Sequence, residues 1–317
     1  MRLSARATVL AVALFTAFHA GRAQPQQADP RSSILVSTDW LATHLHDANL
    51  VLLHVGRKES YDKEHIPGAR YVVVSDLMAP MKHDGSREIM VEMPGAAELH
   101  AALAALGISD DSRVVIYFGN EENANWTSAT RVMYTLDYAG LGGRTSLLDG
   151  GMKAWLRAGK PATADVPAPR AGALAPLHFK PNVVTGEWVH EHLAAQGFVV
   201  IDARDGQFYD GVSEGGPAAA RRKGHIPGAK SVPFTSVTND AGELKGASDL
   251  ATIFLNAGVK PGDTVVGYCH VGLQATAMLF AARTLGFNVL LYDGSFEDWA
   301  YHAWPVELPQ KSGGGTS

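Results

Sequence analysis

Cys269 is the one cysteine in the sequence and its strongest nucleophile. The stretch around it, residues 264–285, reads TVVGYCHVGLQATAMLFAARTL. An apolar, β-rich run stops at the cysteine, and a helical period begins a few residues later with Ala277, Phe280, Ala281 and Leu285. A lone cysteine is more often a small buried apolar residue than a catalyst. Here, however, it lies between a strand end and a helix start, where open α/β sheets place their sites. Unpaired N–H groups and the positive end of the helix dipole meet at such a point, so the thiolate is expected to be favoured over the thiol. Gly272 lets the loop curl, so that the N–H groups of His270, Val271, Gly272, Leu273 and Gln274 converge on an anion held at the sulfur. The chemistry this implies is nucleophilic attack followed by stabilisation of a sulfur anion.

Other residues could assist. Arg204 follows a predicted strand end and is a candidate anion binder, with Asp202 as a salt-bridge partner that supports it. Arg221, Arg222 and Lys223 form the densest basic cluster in the chain, and the two arginines are candidate substrate ligands. His270 can tune the thiol or donate a proton, although neighbours in a tight loop usually point apart. His225 occurs in both copies of a repeat of which only one has a thiol, which gives it a structural role. His44 and His46, like His190 and His192, are two apart on predicted helices and face different sides, so no metal cluster is expected.

The elements that position these residues occur twice. His65-Ile66-Pro67-Gly68-Ala69 recurs as His225-Ile226-Pro227-Gly228-Ala229, each after a strand-like run (51–55 and 199–201) and a charged loop. Residues 113–118 match 264–269, and Leu148-Asp149-Gly150-Gly151 matches Tyr292-Asp293-Gly294-Ser295, each followed by a short helix with Trp155 or Trp299. Four landmarks in the same order describe a duplicated domain. Helical patterns at 38–46, 186–195 and 249–257 alternate with β-branched runs, so each copy is predicted to be α/β, a parallel sheet with helices on both faces. Where the second copy has Tyr268-Cys269-His270, the first has Tyr117-Phe118-Gly119 and a longer loop with Glu121, Glu122 and Trp126, so the first domain is expected to be non-catalytic.

Residues 1–23 carry Arg2 and Arg6, an apolar run over 7–18 and small residues at Gly21 and Ala23, the pattern of a secretory signal peptide. The expected divisions are the signal peptide at 1–23, a first domain at 24–158, a Pro- and Ala-rich linker at 159–181, a catalytic domain at 182–309 and an unstructured tail at 310–317. Export, with a periplasmic destination, follows from the leader. A net charge of −5 without a basic stripe argues against nucleic-acid partners, and nothing after the leader suggests a membrane. An apolar content of 46% is that of a well-buried globular protein. One cysteine precludes an intramolecular disulfide, so a thiol retained in an oxidising compartment is a functional signal.

The duplication, the two HIPGA motifs, Asp202-Ala203-Arg204 after a strand and a cysteine-headed loop only in the second copy together resemble the tandem-domain rhodaneses, the thiosulfate and 3-mercaptopyruvate sulfurtransferases. The resemblance spans about 34–308. It implies two tandem rhodanese-like domains. It also implies that Cys269 takes the outer sulfur of a small-molecule donor as a persulfide and passes it to a thiophilic acceptor, cyanide, a small thiol or a protein thiol, without a cofactor. Arg204 would then bind the anionic end of the donor. The loop His270-Val271-Gly272-Leu273 has neither the basic residues frequent in thiosulfate enzymes nor the Gly-Ser-Gly of many mercaptopyruvate enzymes. The second arginine common after Asp-x-Arg is replaced near Phe208, leaving Arg221 or Arg222 as substitutes. Phosphatases of this fold need an arginine six positions after the cysteine. Ala275 stands there, and phosphate ester hydrolysis is disfavoured. Thiosulfate is the expected donor, 3-mercaptopyruvate the rival, and a non-catalytic persulfide carrier the reading from another class.

Overall fold

A computed structural model describes residues 29–79, 89–120, 124–168, 170–218 and 221–308. The expected leader (1–23) and tail (310–317), with Glu121 and Glu122, lie outside the described residues. The first half runs α1 (Pro30–Ile34), β1 (Leu35–Val36), α2 (Thr38–His44), β2 (Leu50–Val55), α3 (Lys58–Lys63), β3 (Arg70–Val72), α4 (Ala96–Ala105), β4 (Arg113–Phe118), α5 (Ala124–Tyr138), β5 (Thr145–Leu148) and α6 (Gly151–Arg157). The second runs β6 (Val183–Val184), α7 (Gly186–His192), β7 (Phe198–Asp202), α8 (Gly206–Tyr209), β8 (Glu214–Gly215), β9 (Arg222–Lys223), β10 (Lys230–Ser231), α9 (Ala247–Asn256), β11 (Thr264–Tyr268), α10 (Gln274–Thr284), β12 (Asn288–Tyr292) and α11 (Ser295–Tyr301).

Each half forms a five-stranded parallel sheet, ordered β1-β5-β4-β2-β3 and β10-β7-β11-β12-β6. The orders are the same: β1 corresponds to β6, β5 to β12, β4 to β11, β2 to β7 and β3 to β10. Central strands such as RVVIYF are apolar at every inner position because both faces are covered. In β4, Val114, Ile116 and Phe118 turn toward α4 and α5, while Val115 and Tyr117 turn toward Leu41 of α2, Tyr61 of α3 and Trp155 of α6. In the second sheet Val266 and Tyr268 pack with Val189 of α7 and Trp299 of α11, and Val265 packs with Leu250 of α9 and with α10. Helices thus lie on both faces of each sheet.

One hydrophobic core runs through both halves, joining α5 of the first to α10 of the second. Burial all round is why α10 (QATAMLFAART) is made of small and apolar residues instead of an amphipathic stripe. Gly267 in β11 permits its close approach, since a Cβ there would meet Leu279 Cγ at 2.8 Å and Met278 Cε at 2.9 Å. The Pro- and Ala-rich segment after α6 lies extended along the first domain, where His65 N–H donates to Thr163 O and Lys180 N–H to Tyr138 O. Among the described residues, no helix is long and apolar enough to cross a membrane.

Candidate active site

Strand β11 ends at Tyr268, α10 begins at Gln274, and Cys269 heads the loop between them. The loop is tied to the start of α11. Cys269 N–H donates to Ser295 Oγ at 3.2 Å, Phe296 N–H to Cys269 O at 3.0 Å and Glu297 N–H to His270 O at 3.1 Å. Gly272 takes φ +81°. The N–H groups of Ala275, Val271, Gly272 and Gln274 act on the sulfur and pull its pKa down. His270 and Leu273 are not among these donors, and Ala275, not foreseen, is. The thiolate is less favoured than expected from a loop at a helix start. The sulfur is wholly buried, and burial raises the thiol above its ordinary value more than the four amides lower it. The resting group is therefore a thiol within a cradle of backbone amides.

Arg204 is fully buried beside it. Its Nε donates to Asp202 Oδ1 at 3.0 Å and Oδ2 at 3.1 Å; Nη2 donates to Asp202 Oδ2 at 2.6 Å and Gly224 O at 2.8 Å. The guanidinium lies 4.0 Å from the ring centroid of Phe296. Burial works against its charge, but Asp202, Tyr268 and Cys269 together more than offset this and leave the pKa raised. The remaining nitrogen, Nη1, is buried without a hydrogen-bond partner. Gly215 makes room for it, since a Cβ there would come within 2.5 Å of Nη1. Asp202 is held in turn by Tyr268, whose hydroxyl donates to Oδ2 at 2.8 Å and accepts from Ile226 N–H at 3.1 Å.

The remaining candidates separate. His270 stands edge-on to Phe208, with ring centroids 4.5 Å apart. Burial, then the charge of Arg204, brings its pKa down to about 4, so it is neutral near pH 7 and does not supply a cation. Gln274 places Oε1 in the interior without a partner. Arg222 donates to Trp304 O at the far end of α11, and Arg221 is exposed. The hydrogen bonds among the described residues bring neither to the sulfur. His225 stacks on Tyr209 at 3.7 Å and shares a hydrogen bond with Tyr209 O at 2.9 Å, supporting the loop that follows Arg204.

Three residues of the first domain complete the wall of the site, and sequence reasoning missed all of them. Arg131 of α5, almost wholly buried, donates through Nη1 to Asp293 Oδ1 at 2.6 Å and to Gly272 O at 3.3 Å, and through Nη2 to Val91 O. Met93 N–H donates to Asp293 Oδ2 at 2.7 Å and Met90 N–H to Glu297 Oε2 at 2.8 Å. An arginine set in an apolar run (ATRVMYTL) was the available signal for Arg131; the two backbone donors leave none.

Strand register aligns the copies at the site. Tyr117 pairs with His54 as Tyr268 pairs with Asp202, and each tyrosine accepts from the isoleucine N–H of its HIPGA motif. Phe118 thus replaces Cys269, His54 replaces Asp202, Gly56 replaces Arg204 and Lys153 replaces Glu297. The first copy lacks the thiol, its arginine and that arginine's carboxylate together.

The rhodanese-like domain family matches the chain twice, over residues 37–158 and 185–302, and the chain belongs to that family. It is 29% identical over 286 residues to the thiosulfate sulfurtransferase of Cricetulus griseus, covering 86% of this chain and 93% of the relative. It is 31% identical over 281 residues to the sulfur carrier protein TtuD of Thermus thermophilus, covering 84% and 93%. Among solved structures, SseA of Escherichia coli, described as a 3-mercaptopyruvate sulfotransferase with the rhodanese fold, superposes with a TM-score of 0.70 at 27% identity, over 83% of this chain and 98% of SseA.

Proposed function

We propose that the chain is a sulfurtransferase that carries sulfur as a persulfide on Cys269, with thiosulfate as donor. The observation that carries this reading is the buried, unpartnered Nη1 of Arg204 in the domain whose only thiol sits in an amide cradle. A buried donor without an acceptor is costly, and an anionic substrate group removes that cost. With the sulfonate end on Arg204, the Cys269 thiol gives up its proton to solvent and the resulting thiolate attacks the outer sulfur. A new S–S bond forms as the old one breaks, and sulfite leaves with the bonding pair. The charge on the outer sulfur is then held by the N–H groups of Val271, Gly272, Gln274 and Ala275. Cyanide or a thiol, small or protein-borne, attacks that sulfur and returns Cys269 as the thiolate. Every electron pair is accounted for between donor and acceptor, without a cofactor.

With 3-mercaptopyruvate as donor, the same cradle and arginine would receive a carboxylate, and pyruvate would leave. The Thermus relative named as a sulfur carrier favours a second reading, in which Cys269 holds sulfur for a partner without turning over small acceptors. Intact-mass measurement of the purified chain separates these. Exposure to thiosulfate adds one sulfur to Cys269, cyanide removes it as thiocyanate, and Cys269→Ser does neither. Loading by 3-mercaptopyruvate alone would reassign the donor; loading without discharge to small acceptors would support the carrier; no loading from either would end the sulfurtransferase reading. Export to a periplasm, proposed from residues 1–23, is tested by fractionating cells that express the full chain.

A further inference from the structure

We propose that Arg131, in the domain without a thiol, is a positioning residue for Cys269, holding the left-handed turn at Gly272 that aims the amide cradle at the sulfur. Only the turnover arm of its test rests on the sulfurtransferase reading.

Gly272 is held from two sides. Its N–H acts on the Cys269 sulfur, while its carbonyl receives Arg131 Nη1 at 3.3 Å. Its φ of +81° and the αR conformation of Leu273 give the alternation of hand that forms a nest of N–H groups. The turn lies directly against the segment after β12, since a Cβ on Gly272 would meet Asp293 O at 2.8 Å and Arg131 Nη1 at 3.1 Å. The fork of Arg131 thus spans Asp293, the Gly272 carbonyl and Val91 O, tying the cradle to both domains.

Its burial argues against a generic stabilising role. A buried ion pair is often no better for stability than apolar residues of the same volume. Arg131 and Asp293 have side-chain exposures of 1% and 11% at the domain boundary. The corresponding aspartate of the first copy, Asp149, accepts Leu244 N–H at 3.0 Å and has the guanidinium of Arg31, 22% exposed, no nearer than 3.8 Å. The tighter clamp occurs in the copy that has the thiol.

The test uses Arg131→Met, Arg131→Lys and Asp293→Asn in the full chain. The chain's single thiol makes alkylation by iodoacetamide a direct reading of Cys269. Charged or titratable groups at the sulfur and its loop are Arg204, Asp202, Asp205, His270, Tyr268, Glu297 and the Arg131–Asp293 pair; the variants alter only the last. With the turn released, Arg131→Met should move the midpoint of the alkylation profile up by about one pH unit. Amide exchange over 271–275 should speed by about tenfold or more, and kcat for thiosulfate should fall by about tenfold or more with KM changed less. Arg131→Lys keeps the charge without the fork and should recover only part of each effect. If Arg131→Met does not fold, Arg131→Lys and Asp293→Asn decide through the same readouts. Folded variants with the wild-type alkylation profile and wild-type exchange at 271–275 would overturn the proposal. If wild-type chain accepts no sulfur, the alkylation and exchange arms still decide it.

Discussion

Replacing Arg204 by lysine separates its two tasks. The arginine gives three hydrogen bonds to Asp202 and one to Gly224 O, and keeps Nη1 free. A lysine ammonium is a single point of charge; inside the protein it satisfies Asp202 or an incoming anion, not both. Asp202 is fully buried, so it holds the ammonium. The substrate then loses a charge-assisted hydrogen bond, about 1.5–3 kcal/mol, and KM for thiosulfate should rise roughly 10- to 100-fold. Because the cradle belongs to a different loop, kcat should change less. Losing the Gly224 bond and the stacking on Phe296 should cost about 1–3 kcal/mol of stability, whereas Arg204→Met, which strands Asp202, should cost about 3–5 kcal/mol. Steady-state thiocyanate formation with thiosulfate and cyanide, beside urea unfolding, measures both. A folded Arg204→Lys enzyme with wild-type KM for thiosulfate would refute the assignment of Nη1 to the donor.

Gly272→Ala forces a Cβ to 2.8 Å from Asp293 O at φ +81°. It should cost about 2–4 kcal/mol and slow alkylation of Cys269, as thermal unfolding and iodoacetamide rates will show. His270 has its pKa lowered from 6.5 to about 4. Its unfolded form therefore binds a proton first as pH falls, and stability should be level above about pH 6.5 and decline by about 2–3 kcal/mol toward pH 4. His270→Asn should flatten that part of the curve, measured by urea unfolding at a series of pH values. Tyr268→Phe removes the bonds to both Asp202 and Ile226 N–H, whereas Tyr117→Phe removes the bond to Ile66 N–H. The first should be the more destabilising by about 1 kcal/mol or more, and equal losses would show that the Asp202 bond adds nothing.

Much of the fold was legible because its signals are local. Alternation of β-branched runs with helical periods gives parallel sheets, and the HIPGA and Asp-Gly landmarks align the copies before any coordinates. The strand end before Cys269 and the helix start after it both follow from sequence period. What could not be read is what depends on the domains meeting. The burial of Cys269, which reverses the expected direction of its pKa, comes from the core shared by α5 and α10. The fates of Arg204 and Arg222 differ though both are arginines near a strand: one lies inward on Phe296, and the other reaches Trp304 O. Sequence distance hides Arg131 most completely, since it acts on a loop 141 residues away.

The pseudo-symmetry gives the domain without a thiol a structural task at the other domain's site. After β3 the first domain sends Met90 and Met93 across to Glu297 and Asp293, while Val91 O accepts from Arg131 of the same domain. After β10 the second domain returns the equivalent segment, where Leu244 N–H donates to Asp149 Oδ1 at 3.0 Å and Glu243 pairs with Arg157. Each domain thus covers the cysteine-loop position of the other. In one direction the covered residue is Cys269; the covering segment supplies two amides and α5 an arginine that fix the groups around it. In the other it is Phe118, beside a cavity of about 350 Å³ lined also by Trp126, Lys153 and Phe234. Covering requires the segment after β3 and the face of α5, neither of which needs a thiol. Separating the domains would therefore open the second domain's site to water even if each half kept its fold.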